Sequence, residues 1–198
     1  MLSDYCDDRL TDKNTVHSYI PLYQTLFESK RDTATHVLEI GIGPAAHMNG
    51  GSIKMWTEYF YKAQIHAIDI IPIDQVNPAL ISHPRIHFHT SNDAYNINFF
   101  KNNFLSKNLL FDILVDDGPH TLESNVTFLK VYSRIMKHDG ILVIEDVQHI
   151  EWIDILRQNT PDALKPYIEV YDRRGEKGRC DDIVFVINAS KHINLKGT

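Results

Sequence analysis

The sequence of 198 residues contains little cysteine and no long apolar run. Its two cysteines, Cys6 and Cys180, are far apart, so we expect free thiols in a reducing compartment rather than a disulfide framework. No apolar stretch approaches the roughly 20 residues that a transmembrane helix needs. The first residues, MLSDYCDDRLTDKN, carry acidic side chains where a signal peptide has a basic start and an apolar run. We therefore predict a cytoplasmic protein.

The sequence also has fewer basic than acidic residues. The formal net charge of -6 and the pI near 6.0 argue against a nucleic-acid partner and against binding to a membrane surface. Apolar residues make up 43% of the chain and charged residues 23%, which is ordinary for a globular protein with a sizeable core. The sequence has no repeats, linkers or low-complexity tracts. We predict a single domain over residues 1–198, in which residues 1–16 form an N-terminal arm or a lid.

Short apolar runs alternate with helical patterns along the chain. The predicted strands are His36–Ile40, Gln64–Ile70, Arg85–Thr90, Phe111–Asp116, a run ending at Glu145 and Asp146, Tyr167–Tyr171 and Asp182–Asn188. The predicted helices are His17–Lys30, a helix capped by Ser52, Thr121–Lys137 and a short helix near Trp152–Gln158. The first five strands alternate with helices, whereas a hairpin-like loop separates the last two. This order predicts an α/β fold: a Rossmann-like, doubly wound, mostly parallel seven-stranded sheet with an antiparallel last strand.

Two of the predicted strands end in pairs of acids, in the segments FDILVDDGPH and GILVIED. If these strands are neighbours, their terminal acids converge at one edge of the sheet, which is where ligands of open α/β sheets bind. Several carboxylates crowded together need a cation to offset their repulsion, and oxygen ligands suit Mg²⁺, Ca²⁺ or Mn²⁺ rather than zinc. We expect His120 on the first turn of the following helix, facing the same edge. Asp116 would point to the opposite face of the sheet and has no predicted catalytic role.

A second set of residues is typical of nucleoside binding. Gly41 and Gly43 follow the first strand, where missing side chains let a ligand approach the backbone, and Asp69 lies at the end of the second strand, where a carboxylate can accept both ribose hydroxyls. The segment GIGPAA also satisfies a weak NAD-binding pattern. However, Pro44–Gly51 separates the glycines from the next helix, and Glu39 suits an ammonium better than a pyrophosphate. These two features favour S-adenosylmethionine over NAD.

Three segments resemble the class I methyltransferases, and more narrowly the metal-dependent sugar O-methyltransferases of macrolide biosynthesis. They are TDKNTVHSYIPLY, EIGIG…GGSIKMW…IHAIDI and DDGPH…GILVIED. The resemblance implies that S-adenosylmethionine and Mg²⁺, or another hard divalent cation, are the cofactors. It also implies that Asp117, Glu145 and Asp146 bind the metal and that His120 is the general base, which acts together with Asp117 on one hydroxyl. The residues expected at the cofactor are Glu39, Gly41, Gly43, Ser52, Asp69, Asn92, Asp93 and Tyr19.

The resemblance implies methyl transfer to a hydroxyl of a small-molecule sugar, either nucleotide-linked or part of a glycoside. Pro119 departs from the small polar residue that the resemblance implies, in the turn that presents His120. Two alternatives are an NAD-dependent oxidoreductase or epimerase and a binding module that keeps the fold without catalysis. The apolar stripe of residues 19–27 is expected in the core, although such a helix also serves dimer interfaces, so a homodimer or a higher homo-oligomer is an open alternative to a monomer.

Overall fold

The computed structural model describes residues 1–191, which divide into two compact units. Unit 1 spans Met1–Ala94, and unit 2 begins at Tyr95. Unit 1 contains the expected cofactor-binding residues, and unit 2 contains the expected metal ligands and base. None of the helices in residues 1–191 is long and apolar enough to cross a membrane.

Unit 1 is built on three parallel strands. The strands are β1 (His36–Ile40), β2 (Gln64–Ile68) and β3 (Ile86–His89). The helices are α1 (Tyr19–Phe27), α2 (Gly51–Tyr59) and the single turn α3 (Pro78–Ile81). Aromatic rings of α1 and α2 pack against each other: Phe27 and Trp56 meet edge to face with ring centroids 5.6 Å apart. The apolar stripe of α1 therefore lies in the core of unit 1, as expected.

The first residues of the chain fold back onto unit 1. Leu2 is fully buried, and its backbone N–H donates to the Gln24 side-chain oxygen on α1 at 2.6 Å. The Arg31 guanidinium donates to the Tyr5 hydroxyl at 3.1 Å, and Lys13 is only 1% exposed. From the sequence we expected residues 1–16 to form either an arm or a lid. These contacts show that the segment packs against the rest of unit 1.

Unit 2 combines parallel and antiparallel strands. The strands are β4 (Phe111–Asp116), β5 (Met136–Ile144), β6 (Ile168–Asp172) and β7 (Ile183–Asn188). The helices are α4 (Ile97–Asn103), α5 (Leu122–Tyr132), α6 (Trp152–Asn159) and α7 (Arg174–Lys177). Strand β4 runs parallel to β5, and β7 runs antiparallel to both β5 and β6. Every residue of β4 and of β7 is buried, because both faces of each strand are covered.

The strand order over the chain is β3-β2-β1-β4-β5-β7-β6, which confirms the predicted Rossmann-like sheet with an antiparallel last strand. The predicted helix Thr121–Lys137 was too long, because α5 ends at Tyr132 and β5 already begins at Met136. Met136 pairs with Phe111 of β4, and the Lys137 ammonium lies 2.8 Å from the Asp112 carboxylate. Tertiary pairing thus overrides the helical periodicity in this segment.

Candidate active site

The glycine-containing turn of unit 1 is organised by Asp69. Gly41 and Gly43 have φ values of 101° and 110°, which favour glycine. The Asp69 carboxylate accepts the Ile42 N–H at 2.7 Å and, more weakly, the Gly43 N–H at 3.4 Å. Its other oxygen accepts the Ile71 N–H at 3.1 Å. The structure therefore places Asp69 against the glycine turn, and β2 ends at Ile68 rather than continuing to Ile70 as predicted.

Glu39, directly upstream of that turn, is fully buried and lies beside a basic side chain. One carboxylate oxygen accepts the Trp56 indole N–H at 2.9 Å, and the other lies 3.5 Å from the Lys13 ammonium. The sequence suggested that Glu39 receives an ammonium, and the structure supplies one from the chain itself. This buried pair was not predicted, although the TDK segment contained the lysine.

The other expected cofactor residues occupy three different settings. Ser52 is the second residue of α2 and is buried; the N-cap is Gly50 (φ 74°), so the prediction of Ser52 as the cap was wrong. Tyr19 is fully buried at the start of α1, with its ring stacked on His17. The Asn92 N–H donates to the Asp69 carbonyl at 3.1 Å, which brings the turn containing Asn92 and exposed Asp93 next to Asp69.

In unit 2 the acids at the ends of β4 and β5 come together. Asp116 pairs with Ile144 in the parallel register, so Asp117, Glu145 and Asp146 all leave the same edge. His120 Nε2 lies 3.7 Å from a carboxylate oxygen of Asp117 and 3.7 Å from one of Asp146. Asp117 and Glu145 also offer oxygens within 4.8 Å of each other. The structure thus brings the three expected metal ligands and the expected base to one place.

His120 and Asp146 both adopt left-handed backbone conformations, with φ values of 52° and 51°. Such conformations are uncommon for residues other than glycine, although Asn, Asp and His adopt them more often than the rest, and each costs on the order of 1 kcal/mol. The prediction that His120 stands on the first turn of the next helix was wrong. Helix α5 begins at Leu122, because Thr121 and Ser124 cap it through their side chains, and His120 precedes this cap. His120 Nδ1 is buried and makes no hydrogen bond within residues 1–191.

Asp116 belongs to a buried polar network that the sequence did not reveal. Its carboxylate accepts a hydrogen bond from the Tyr95 hydroxyl and one from the Asn125 amide at 3.3 Å. Burial raises the pKa of Asp116 to about 6, against the lowering effect of those two donors. Burial, together with the nearby Asp116 charge, also raises the pKa of Tyr95 well above its usual range. Gly118 leaves room for the Tyr95 hydroxyl, because a methyl group there would overlap it.

The donor set of unit 2 fits a hard divalent cation. Asp117, Glu145 and Asp146 supply carboxylate oxygens, and Glu145 is only 1% exposed. Like charges held this close in a buried setting repel one another unless a cation offsets them, and Mg²⁺ prefers such oxygen ligands.

Comparison with known proteins identifies relatives of this chain. No protein-family model matches the sequence. It is 30% identical over 146 residues to 8-demethyl-8-alpha-L-rhamnosyl tetracenomycin-C 2'-O-methyltransferase of Streptomyces olivaceus, covering 72% of this chain and 36% of that protein. It is 31% identical over 140 residues to mycinamicin VI 2''-O-methyltransferase of Micromonospora griseorubida, covering 69% of this chain and 33% of that protein. The chain therefore spans about a third of the length of the curated relatives it matches.

Solved structures agree on the fold. The MycE methyltransferase from the mycinamycin biosynthetic pathway, in complex with Mg, SAH and mycinamycin VI, matches with a TM-score of 0.72 and 22% identity. That match covers 94% of this chain and 53% of the other. The fibrillarin pre-rRNA processing protein of Methanococcus jannaschii matches with a TM-score of 0.57, covering 80% of this chain and 66% of the other at 16% identity. The strand order, the glycine turn and these relatives together place the chain among the class I methyltransferases, with sugar O-methyltransferases as its homologues.

Proposed function

We propose that the protein transfers a methyl group from S-adenosylmethionine to a hydroxyl of a small-molecule sugar, with a hard divalent cation such as Mg²⁺. The observation that carries this proposal is the convergence of Asp117, Glu145 and Asp146 with His120 at the ends of β4 and β5. The names of the relatives support the reaction and the acceptor class, because they describe O-methyltransferases that act on sugar-bearing compounds.

Unit 1 is proposed to hold the methyl donor. The turn at Gly41 and Gly43 would admit the cofactor. The Asp69 carboxylate holds that turn in place by accepting hydrogen bonds from its backbone N–H groups. The methionine ammonium is proposed to bind near Glu39, whose negative charge Lys13 balances. The turn at Asn92 and Asp93 would lie at the adenine end, with Ser52 and Tyr19 as further cofactor residues.

Unit 2 is proposed to hold and activate the acceptor. When bound, S-adenosylmethionine supplies the methyl group and a cation held by Asp117, Glu145 and Asp146 offsets negative charge on the acceptor oxygen. The acceptor hydroxyl gives its proton to His120 Nε2, the ring nitrogen that faces Asp117 and Asp146. These two carboxylates then stabilise the imidazolium and hold the ring in one orientation.

The test combines transfer with binding. His120→Asn removes the base and keeps a residue that tolerates φ 52°, and His138→Asn is a matched control at an exposed histidine. We expect His120→Asn to lose most transfer to a panel of sugar nucleotides and glycosides while it binds S-adenosylhomocysteine normally in calorimetry. We expect Asp117→Asn to lose Mg²⁺ binding. Undiminished turnover in excess EDTA would refute the requirement for a divalent cation. Stabilisation by NAD but not by S-adenosylhomocysteine would refute S-adenosylmethionine as the methyl donor.

The remaining features of the proposal concern the whole protein. A single domain over residues 1–198, a cytoplasmic location and a homodimer or higher homo-oligomer stay predictions. Light scattering on the purified chain tests the assembly, and cell fractionation tests the location.

A further inference from the structure

Four histidines from three neighbouring strands lie together on one face of the unit 1 sheet. His66 of β2 pairs with His87 of β3 in the parallel register, and His89 lies two residues further along the same strand. Side chains two apart on a strand share a face, so His87 and His89 flank His66. The His87 ring stacks on His66 with centroids 4.7 Å apart, and His36 of β1 lies 5.9 Å away from His66. Neither the expected cofactor residues nor the proposed acceptor site includes this group.

His66 and His89 are hydrogen-bonded to each other through their ring nitrogens. His66 Nδ1 and His89 Nε2 are 3.3 Å apart. Two imidazole nitrogens at about 2.0–2.1 Å from a tetrahedral zinc ion are separated by about 3.4 Å. Since the ring centroids are 5.6 Å apart, the nitrogens face each other nearly in line, and each ring has to tilt to receive an ion. His89 is only partly buried, which leaves its ring room to tilt.

We propose that His66, His87 and His89 form a binding site for a divalent transition metal of the zinc, nickel or copper kind. Imidazole is the ligand these ions prefer, whereas Mg²⁺ prefers oxygen, so the site differs in chemistry from the carboxylates of unit 2. Three imidazoles and a water form a ligand set known for zinc. His87 is exposed and its Nε2 lies 2.7 Å from the Gln64 side-chain oxygen, so its ring joins the site by rotating away from Gln64.

Bound metal would crosslink two neighbouring strands. His66 and His89 bind as neutral rings, and each keeps its proton on the nitrogen that faces away from the ion. The ion then joins β2 to β3, next to the turn at Asn92. Because binding occurs only in the folded state, it raises the melting temperature of the protein, and the stabilisation grows with the logarithm of the metal concentration once that concentration exceeds the dissociation constant.

The test uses Zn²⁺ on the full chain, first stripped of metal and kept in excess Mg²⁺ to saturate the carboxylates. His89→Gln removes one ligand but can still hydrogen-bond to His66, and His138→Gln is the matched control at an exposed histidine. Calorimetry should show Zn²⁺ binding to wild type and to His138→Gln, weakened by about tenfold or more in His89→Gln. His87→Gln should also weaken it. Equal affinity in all four proteins would overturn the proposal.

A second measurement locates the ion independently of folding defects in the variants. Crystals of the wild-type chain soaked in Zn²⁺ should give an anomalous difference peak between His66 Nδ1 and His89 Nε2. A peak only among Asp117, His120 and Asp146, or no peak at all, would refute the site. Because neither measurement requires methyl transfer, both outcomes are independent of the proposed function.

Discussion

The substitution Gly118→Ala tests the buried network behind the proposed metal ligands. An alanine Cβ at this position would overlap the Tyr95 hydroxyl and lie 3.1 Å from a carboxylate oxygen of Asp116. Gly118 has no positive φ, so the cost comes from space alone. Overpacking costs about 1–3 kcal/mol, and displacing Tyr95 removes a hydrogen bond to a carboxylate worth about 1.5–3 kcal/mol. We expect the free energy of unfolding to fall by about 3 kcal/mol.

The partner variant Tyr95→Phe removes the overlapping atom. Alone it should cost about 2 kcal/mol, because Asp116 loses the Tyr95 donor and keeps that of the Asn125 amide. In the Tyr95→Phe background, Gly118→Ala should then cost less than about 1 kcal/mol, which gives a coupling of about 2 kcal/mol in the double-mutant cycle. Urea unfolding followed by circular dichroism measures all four proteins.

Gly175→Ala is the matched control in the same unit, since nothing lies within 4 Å of its added Cβ. It should change the free energy of unfolding by less than about 1 kcal/mol. Costs of Gly118→Ala and Tyr95→Phe that add without coupling, or a Gly118→Ala variant as stable as Gly175→Ala, would refute the reasoning about this network.

Three further predictions concern unit 1. Lys13→Met leaves Glu39 buried without that cation and should lower the free energy of unfolding by about 3 kcal/mol in urea, while adding Glu39→Gln restores most of it. Burial, with a hydrogen bond to Asp8, raises the pKa of Cys6 from 9.0 to about 11. Labelling of Cys6 by maleimide at pH 8 should therefore be about a hundredfold slower than that of a thiol whose pKa is 9.0, and its rate should rise with pH. Mass spectrometry measures the extent of labelling. Gly50→Ala combines φ 74° with a Cβ 2.7 Å from Leu80 Cδ1 and should cost about 2 kcal/mol in thermal unfolding; no change in melting temperature would contradict it.

Much of the fold could be predicted from the sequence because the strands are short apolar runs bounded by polar residues. Phe111–Asp116 has the predicted bounds, since burial on both faces demands a nearly continuous apolar run, interrupted here by Asp112. The boundaries that failed depend on contacts from distant residues. Met136 and Lys137 were predicted as the end of a helix but belong to β5, because Met136 pairs with Phe111 of β4. No local pattern in the sequence indicates this pairing.

The candidate site shows the same division. The acids following β4 and β5 were expected at one edge because parallel neighbours end together, and the structure brings them there. The position of His120 before the helix, rather than on it, depends on the Thr121 and Ser124 cap, which a sequence shows only as two ordinary polar residues. The Tyr95 hydroxyl reaches Asp116 from outside the motifs, and Lys13 lies within a motif that gives no sign of its contact with Glu39, so only tertiary packing reveals both contacts.

The left-handed backbone at His120 and Asp146 has a consequence for directed evolution. Glycine would relax both positions, so a library selected only for heat resistance should replace these two residues early. A library selected for turnover should keep them and collect its stabilising changes elsewhere. The stability of this chain and the chemistry proposed for it therefore place opposite demands on the same two backbone angles.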